Sequence, residues 1–471
     1  MASVVARTRP RWAPTICEAC LGHLEALRRP VPGSVRFFSA ANRITSSRQH
    51  LDREHATSQI PRQRASFSNA QTKSRRYNST QNAPPTPEAP FLACAPPRLG
   101  ASPGPGCARL TNRRLVALAG PDAAKFLQGL VTNNVDPSRE TPFYAAFLDA
   151  RGRMLWDVFI WTFPELKEQQ GMAGGDWACY VEVDADEVES LLKHLKRHKL
   201  RSKITIKVVE ENPDKEDGTG GLQVWADWGS KGVIGDDFHQ IIVTFEDPRF
   251  VSNGMTMRRS LIRPLGTSSP MPVPEDALLR EYTRLRYNYG IPEGQQEIPR
   301  ESALPMEYNV DLSQGIDFKK GCYVGQELTI RTKHTGVVRK RVLPIELSNA
   351  DARHGNPDSH SQIPTYNEDS LNLDPAHFDS ADIKQLDRDG NVKRGRAAGK
   401  LVSTCGNVGL ALCRLEMMTS MKMSAEGGSW KPGMEFGVAD RNGNVVKVKP
   451  FVQDEWVTKV RDIWDKQRTR I

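Results

Sequence analysis

The chain has 471 residues, 26% charged and 38% hydrophobic, with a formal net charge of +9. That length allows two or three domains with a real core, and no run approaches the roughly 18–20 continuous apolar residues that a membrane-spanning helix needs. Residues 1–82 hold 14 of the 65 Lys/Arg and 4 of the 56 Asp/Glu, a net of +10, so the remainder carries −1, which gives no global field to draw nucleic acid.

The N-terminal 82 residues are rich in Arg and Ser and poor in acids, with Arg7, Arg9, Arg11, Arg28 and Arg29 unbalanced. This is the composition of a mitochondrial transit peptide and predicts the matrix as the destination. Arg36-Phe37-Phe38 and Arg75-Arg76-Tyr77 offer two processing places; a basic arm that binds RNA is the alternative. Residues 83–106 are dense in Pro and Gly and read as a linker, so the fold is expected to start near Cys107. The eight cysteines have no disulfide rhythm and suit a reducing compartment. Cys17 and Cys20 form a CxxC pair without a second pair at zinc-finger spacing.

Leu115 to Leu118 is strand-like. Gly120-Pro121-Asp122 then opens a helix whose apolar face is Phe126, Leu127, Leu130 and Val131. Tyr144–Leu148 and Met154–Trp161 flank the turn Asp149-Ala150-Arg151-Gly152 as a hairpin. Trp177–Val183, a helix lined by Val188, Leu191, Leu192 and Leu195, and the alternating run Lys203–Val209 form a β–α–β unit of ferredoxin-like type. Asp184 or Asp186 can cap that helix. Further strands are predicted at Leu222–Trp225 and Gln240–Phe245, and a helix at Pro274–Tyr289. Val337–Leu347 begins a small C-terminal β-barrel, interrupted by a polar insertion, 348–394, with too few apolar residues to order itself. The barrel resumes at Gly399–Ser403, Gly409–Leu415 and Val445–Val452. Residues 107–336 are thus expected as an α+β region, 337–456 as the barrel domain and 457–471 as a tail.

The most informative stretch is Phe318 to Arg331. Gly321 and Gly325 flank Cys322 and let backbone approach a ligand. Between Lys319 and Arg341 stand seven Lys/Arg and one acid, Glu327. A thiol beside cations loses its proton more readily, and a thiolate is both a nucleophile and a soft ligand for iron or copper. The bland alternative is a buried core cysteine.

Lys320-Gly321-Cys322-Tyr323-Val324-Gly325-Gln326-Glu327 resembles the signature of the folate-binding, YgfZ-like relatives of the glycine-cleavage T-protein. Phe147 to Arg153, Leu200-Arg201-Ser202-Lys203, Gly290-Ile291-Pro292, Leu304-Pro305 and Thr332 to Arg341 support it. The resemblance spans about 107–345 and resumes over roughly 395–456. It implies a three-domain ring around a folate-sized hole, and a late role in making [4Fe–4S] clusters for mitochondrial enzymes with A-type scaffold partners. On that resemblance Cys322 is a cluster ligand or redox contact. Lys320 and Arg331 stabilise its thiolate or the cluster's charge, Gln326 and Glu327 orient the loop, and Gly321, Gly325 and Asp157 belong to the cofactor side.

Iron–sulfur clusters usually take four protein ligands, mostly cysteines. With one cysteine in the signature, this chain is expected to share a cluster with a partner rather than carry one, and to act as an assembly factor on a transferase-like fold. The rivals are a tetrahydrofolate-dependent aminomethyltransferase, a thiol enzyme pairing Cys322 with His334, and an RNA-binding or RNA-modifying protein using residues 331–341. The first needs a carboxylate at the folate. Where the T-protein's hairpin has two adjacent acids, this chain reads Leu155-Trp156-Asp157. The second lacks a legible oxyanion arrangement, and the third lacks an RNA motif.

Overall fold

The computed structural model describes residues 104–162, 177–210, 221–229, 239–250, 256–264, 275–335, 337–351, 363–367, 371, 378, 381–423, 428–440 and 443–464. All of them lie in one compact unit, Thr86–Ile471. The expected leader and nearly all of the expected linker fall outside the described residues.

In chain order the elements begin with β1 (Gly106–Arg109), β2 (Arg113–Gly120), α1 (Ala123–Gln128), β3 (Phe143–Leu148), β4 (Met154–Thr162), β5 (Trp177–Asp184), α2 (Val188–Lys199) and β6 (Thr205–Val208). Next come β7 (Gln223–Trp228), β8 (His239–Glu246), β9 (Met257–Pro264), α3 (Glu275–Asn288) and α4 (Gln326–Thr335). The C-terminal part holds β10 (Lys340–Asn349), β11 (Asp382–Gln385), β12 (Gly399–Cys405), β13 (Val408–Arg414), α5 (Leu415–Met418), β14 (Phe436–Ala439), β15 (Val445–Pro450) and α6 (Asp454–Trp464). The strands make a five-stranded sheet, β3-β4-β5-β2-β6, a four-stranded sheet, β1-β7-β9-β8, and a closed barrel, β10-β13-β12-β11-β14-β15. Every pairing is antiparallel.

β4 explains how the two sheets face each other. All nine of its residues are buried, because both faces are covered. Val158 and Ile160 join the apolar face of α1 and α2, while Phe159 and Trp161 join the core shared with the second sheet and α3. Alternation along the strand therefore turns Asp157 toward that shared core. Glu182 of β5, two residues from Tyr180, follows the same rule.

The barrel corrects the reading of 348–394. Phe378 and Ile383 are buried in its core, and β11 pairs with both β12 and β14. Phe378 and Ile383 are apolar residues of that polar stretch that the barrel buries, and closure leaves the barrel without a free edge. Residues 457–464 are likewise part of a helix. α6 places Trp456 and Val457 against the barrel core, and its Trp464 indole donates to Asp311 at 3.0 Å. Strands β1, β9 and β14 and helix α4 are further elements beyond those expected.

Candidate functional site

Gly321 and Cys322 are exposed, while the residues on either side are anchored. On the N-terminal side the Lys320 ammonium donates to three carbonyls in the turn after α1: Gln128 at 2.8 Å, Val131 at 2.7 Å and Asn133 at 2.7 Å. On the C-terminal side the Val324 N–H donates to the Gly129 carbonyl at 3.0 Å, and the Tyr323 side chain is buried. Gln326, the first residue of α4, accepts from the Tyr323 N–H through its side-chain oxygen at 3.2 Å. Cys322 thus stands at the apex of a short loop pinned at both feet.

The loop is seated on the β3–β4 turn. Gly325 has φ +81°, and a Cβ there would lie 2.3 Å from the Asp149 carbonyl oxygen. Gly152, opposite, has φ +79°, and its Cβ would lie 2.9 Å from the Gly325 carbonyl oxygen. Both positions require glycine for conformation and for closeness. Gly321, by contrast, has open space around its missing side chain. The hairpin motif and the cysteine motif, far apart in sequence, are one contact in space.

The cations around the cysteine in sequence do not gather around it. Lys320 is turned inward, where burial pushes its ammonium down to about 7. The three carbonyls oppose that shift, because together they take the three N–H donors that only the charged ammonium supplies. Lys333 is buried, donates to the Ile463 carbonyl of α6, and lies over the Phe318 and Trp464 rings. Arg341 is fully buried and grips Asp311 through two 2.8 Å bonds. Lys340 lies 3.6 Å from Glu307. Lys319, Arg331 and Arg339 are exposed; Arg331 follows Glu327 by four residues along α4, and Glu327 and His334 are exposed as well.

Asp157 lies elsewhere, in a buried ion network between the two sheets and α3. Glu182 accepts from Arg113 at 2.9 Å, from Arg259 at 2.5 Å and from the Trp161 indole at 3.0 Å. Glu293 meets Arg249 at 2.8 Å and Arg259 at 3.1 Å, and Glu297 holds Arg286 at 2.7 and 2.9 Å. Arg249 also bonds Asp247 at 2.7 Å. Four guanidinium groups thus face five carboxyl groups. Burial would raise Glu293, but Arg259, Arg249 and Arg286 hold it well below the usual carboxylate range. Burial pushes Asp157 up, against the pull of Arg113. Its Oδ2 has no hydrogen-bond donor, with Arg113 Nη1 3.6 Å away. Asp157 is the fifth acid, and burial favours its neutral form.

This packing bears on the folate that the resemblance implies. Asp157 was expected to face a pocket, yet it has no exposed surface, and the side chains of Arg113, Arg249, Arg259 and Glu293 are at most 1% exposed. The guanidinium of Arg249 lies 4.8 Å over the Phe159 ring and that of Arg259 lies 4.4 Å over the same ring. Two cations thus lie against the Phe159 ring. As packed, the described residues leave Asp157 no exposed surface for a folate to reach.

Among the described cysteines Cys107, Cys179 and Cys413 are buried, Cys405 is half-buried and Cys322 is exposed. No group of three or more His, Cys, Asp or Glu among the described residues could hold a metal ion. Fold and site together define a class: an α+β scaffold, closed by a small barrel, that among the described residues presents one exposed cysteine. Residues 339–457 match the family model of the CAF17 C-terminal beta-barrel domain. A glycine cleavage system aminomethyltransferase T from Bartonella henselae has a similar structure, with TM-score 0.44, 12% identity, and coverage of 75% of this chain and 86% of that one. The mitochondrial iron–sulfur cluster assembly factor IBA57 homolog of Phaeosphaeria nodorum is 46% identical over 367 residues, 76% of this chain and 82% of that protein. The homolog of Coccidioides immitis is 44% identical over 349 residues, 72% of this chain and 78% of that protein. The chain belongs to this IBA57 family of mitochondrial iron–sulfur cluster assembly factors.

Proposed function

We propose that the protein helps assemble [4Fe–4S] clusters on client proteins of the mitochondrial matrix, and that it does so by offering Cys322 to a cluster whose other thiolates sit on an A-type scaffold partner. The single observation that carries this reading is the exposed apex cysteine between two anchored feet. A lone cysteine supplies one of the usual four ligands, so it can share a cluster without retaining it. On binding, Cys322 gives up its thiol proton to solvent and its sulfur replaces one ligand of the incoming iron. Lys320 and Gln326 position the loop; Gly321 leaves the approach to the sulfur open. Arg331 lies exposed on the following helix, where its charge would favour an anionic cluster.

The test mixes the purified full chain with a cluster-loaded A-type partner. A complex forms with the native chain and is lost with Cys322→Ala, which folds normally. An undiminished complex with Cys322→Ala removes the sulfur from the mechanism.

We propose further that the buried centre serves as a structural ion network rather than a tetrahydrofolate site, since a folate would have to displace Arg249 from the Phe159 ring. Calorimetry with tetrahydrofolate is expected to show no binding; binding that Asp157→Asn abolishes would restore the cofactor.

A further inference from the structure

A second surface, remote in sequence from Cys322, carries charge that the fold does not use. From Lys193 to Lys207 the chain has seven Lys/Arg and no Asp or Glu. Helix α2 buries Val188, Leu191, Leu192 and Leu195, so Lys193, Lys196 and Arg197 project from the opposite face and are exposed. Arg201, Lys203 and Lys207 continue the exposed charge through the turn and along β6. Among the described residues none of the seven is held by an ion pair.

An apolar side chain stands at the tip of this surface. Leu200, just past α2, is 87% exposed with φ +45°. A β-carbon disfavours that backbone region, and nothing apolar covers the side chain. The turn is nonetheless held firmly. The Ser202 N–H donates to the Lys199 carbonyl at 2.8 Å, and the Lys203 N–H donates to Asp122 at 2.7 Å. At Gly120, beneath the turn, an added Cβ would lie 2.4 Å from the Lys203 carbonyl oxygen. Val208 on β6, an edge strand, is also exposed.

We propose that this face, α2 with the Leu200 turn and β6, binds an anionic lipid surface peripherally, with the lysines over the headgroups and Leu200 dipping among them. Charge complementarity and side-chain type select that occupant. Lysine is depleted at protein interfaces, whereas clustered Lys and Arg with an aliphatic residue at the tip suit an anionic bilayer. Single-stranded nucleic acid would be met by exposed aromatic rings for stacking; residues 193–207 contain no Phe, Tyr or Trp, and the His194 and His198 rings are half-buried against each other.

The test is hydrogen exchange of the full chain with vesicles of equimolar phosphatidylglycerol and phosphatidylcholine, read peptide by peptide because residues 1–82 are themselves basic. Amides between 196 and 208 slow on these vesicles and do not slow on pure phosphatidylcholine. The triple variant Lys196→Glu, Arg197→Glu, Leu200→Asp loses that local slowing, by about tenfold or more, with exchange across β4 and β13 unchanged as evidence of folding. Vesicle binding by the native chain without slowing at 196–208 overturns the proposal. So does slowing there by a single-stranded RNA but not by vesicles, which would assign the face to nucleic acid.

Discussion

Two basic runs of this chain look alike on paper and behave oppositely in the fold. Residues 319–341 and residues 193–207 each hold seven Lys/Arg. In the first, Lys320, Lys333 and Arg341 are turned inward to carbonyls and a carboxylate, and Lys340 sits near Glu307. In the second, no cation among the described residues finds an acid. The difference lies in what surrounds each run. The first threads between the α1 turn, α6 and the barrel, where polar acceptors must be satisfied. The second lies on the outer face of a helix whose other face already packs the core. A cluster of positive residues therefore says little about a binding surface until each charge has been followed to its partner.

Substitutions that separate the two runs test this contrast. The largest effect is expected for Arg341→Ala, which leaves Asp311 buried without its bidentate partner; breaking a buried pair this way costs about 4 kcal/mol, and a denaturant titration reads it directly. An unchanged midpoint would mean that water reaches Asp311 and that the run is less internal than its burial indicates. Next is Gly325→Ala, where a β-carbon meets the Asp149 carbonyl at a left-handed backbone; a loss of about 2 kcal/mol is expected, with cluster transfer impaired as the loop lifts. Gly321→Ala, four residues away in the same loop, is expected to leave stability within about 0.5 kcal/mol. Equal losses from the two alanines would refute the seated-loop geometry. The smallest effect belongs to the outer run: Lys196→Ala and Lys203→Ala should each shift stability by less than about 0.5 kcal/mol.

Much of the scaffold was legible from its apolar runs, with alternation marking β6. β3, β4 and β5 stand where their apolar runs placed them and α2 where its helical period did, although Asp184 caps the one-turn helix before α2 rather than α2 itself, and the barrel emerged from its apolar runs. What escaped has a common cause. β9 carries Arg258 and Arg259 near its start, and charged residues in a strand read as loop until their partners, Asp227 and Glu182, are visible across the sheets. β11 sits inside a polar segment and contributes one buried apolar residue, Ile383. α4 is rich in Thr, with weak apolar periodicity, so the cysteine motif concealed it. At the site, Cys322 and its glycines could be found from sequence. The inward turn of Lys320 could not, because its partners are main-chain carbonyls that no side chain announces. Two glycines with positive φ in separate motifs, Gly152 and Gly325, were the available signal for the contact beneath the cysteine.

The meeting of Gly152 and Gly325 makes the cysteine loop and the hairpin turn a single portable module. Moving residues 318–331 alone into another protein would transplant the thiol without the floor that holds it up. A graft that keeps its reach would carry residues 128–133 and 147–153 as well, and a foreign side chain at either glycine would tip the sulfur away from whatever docks there.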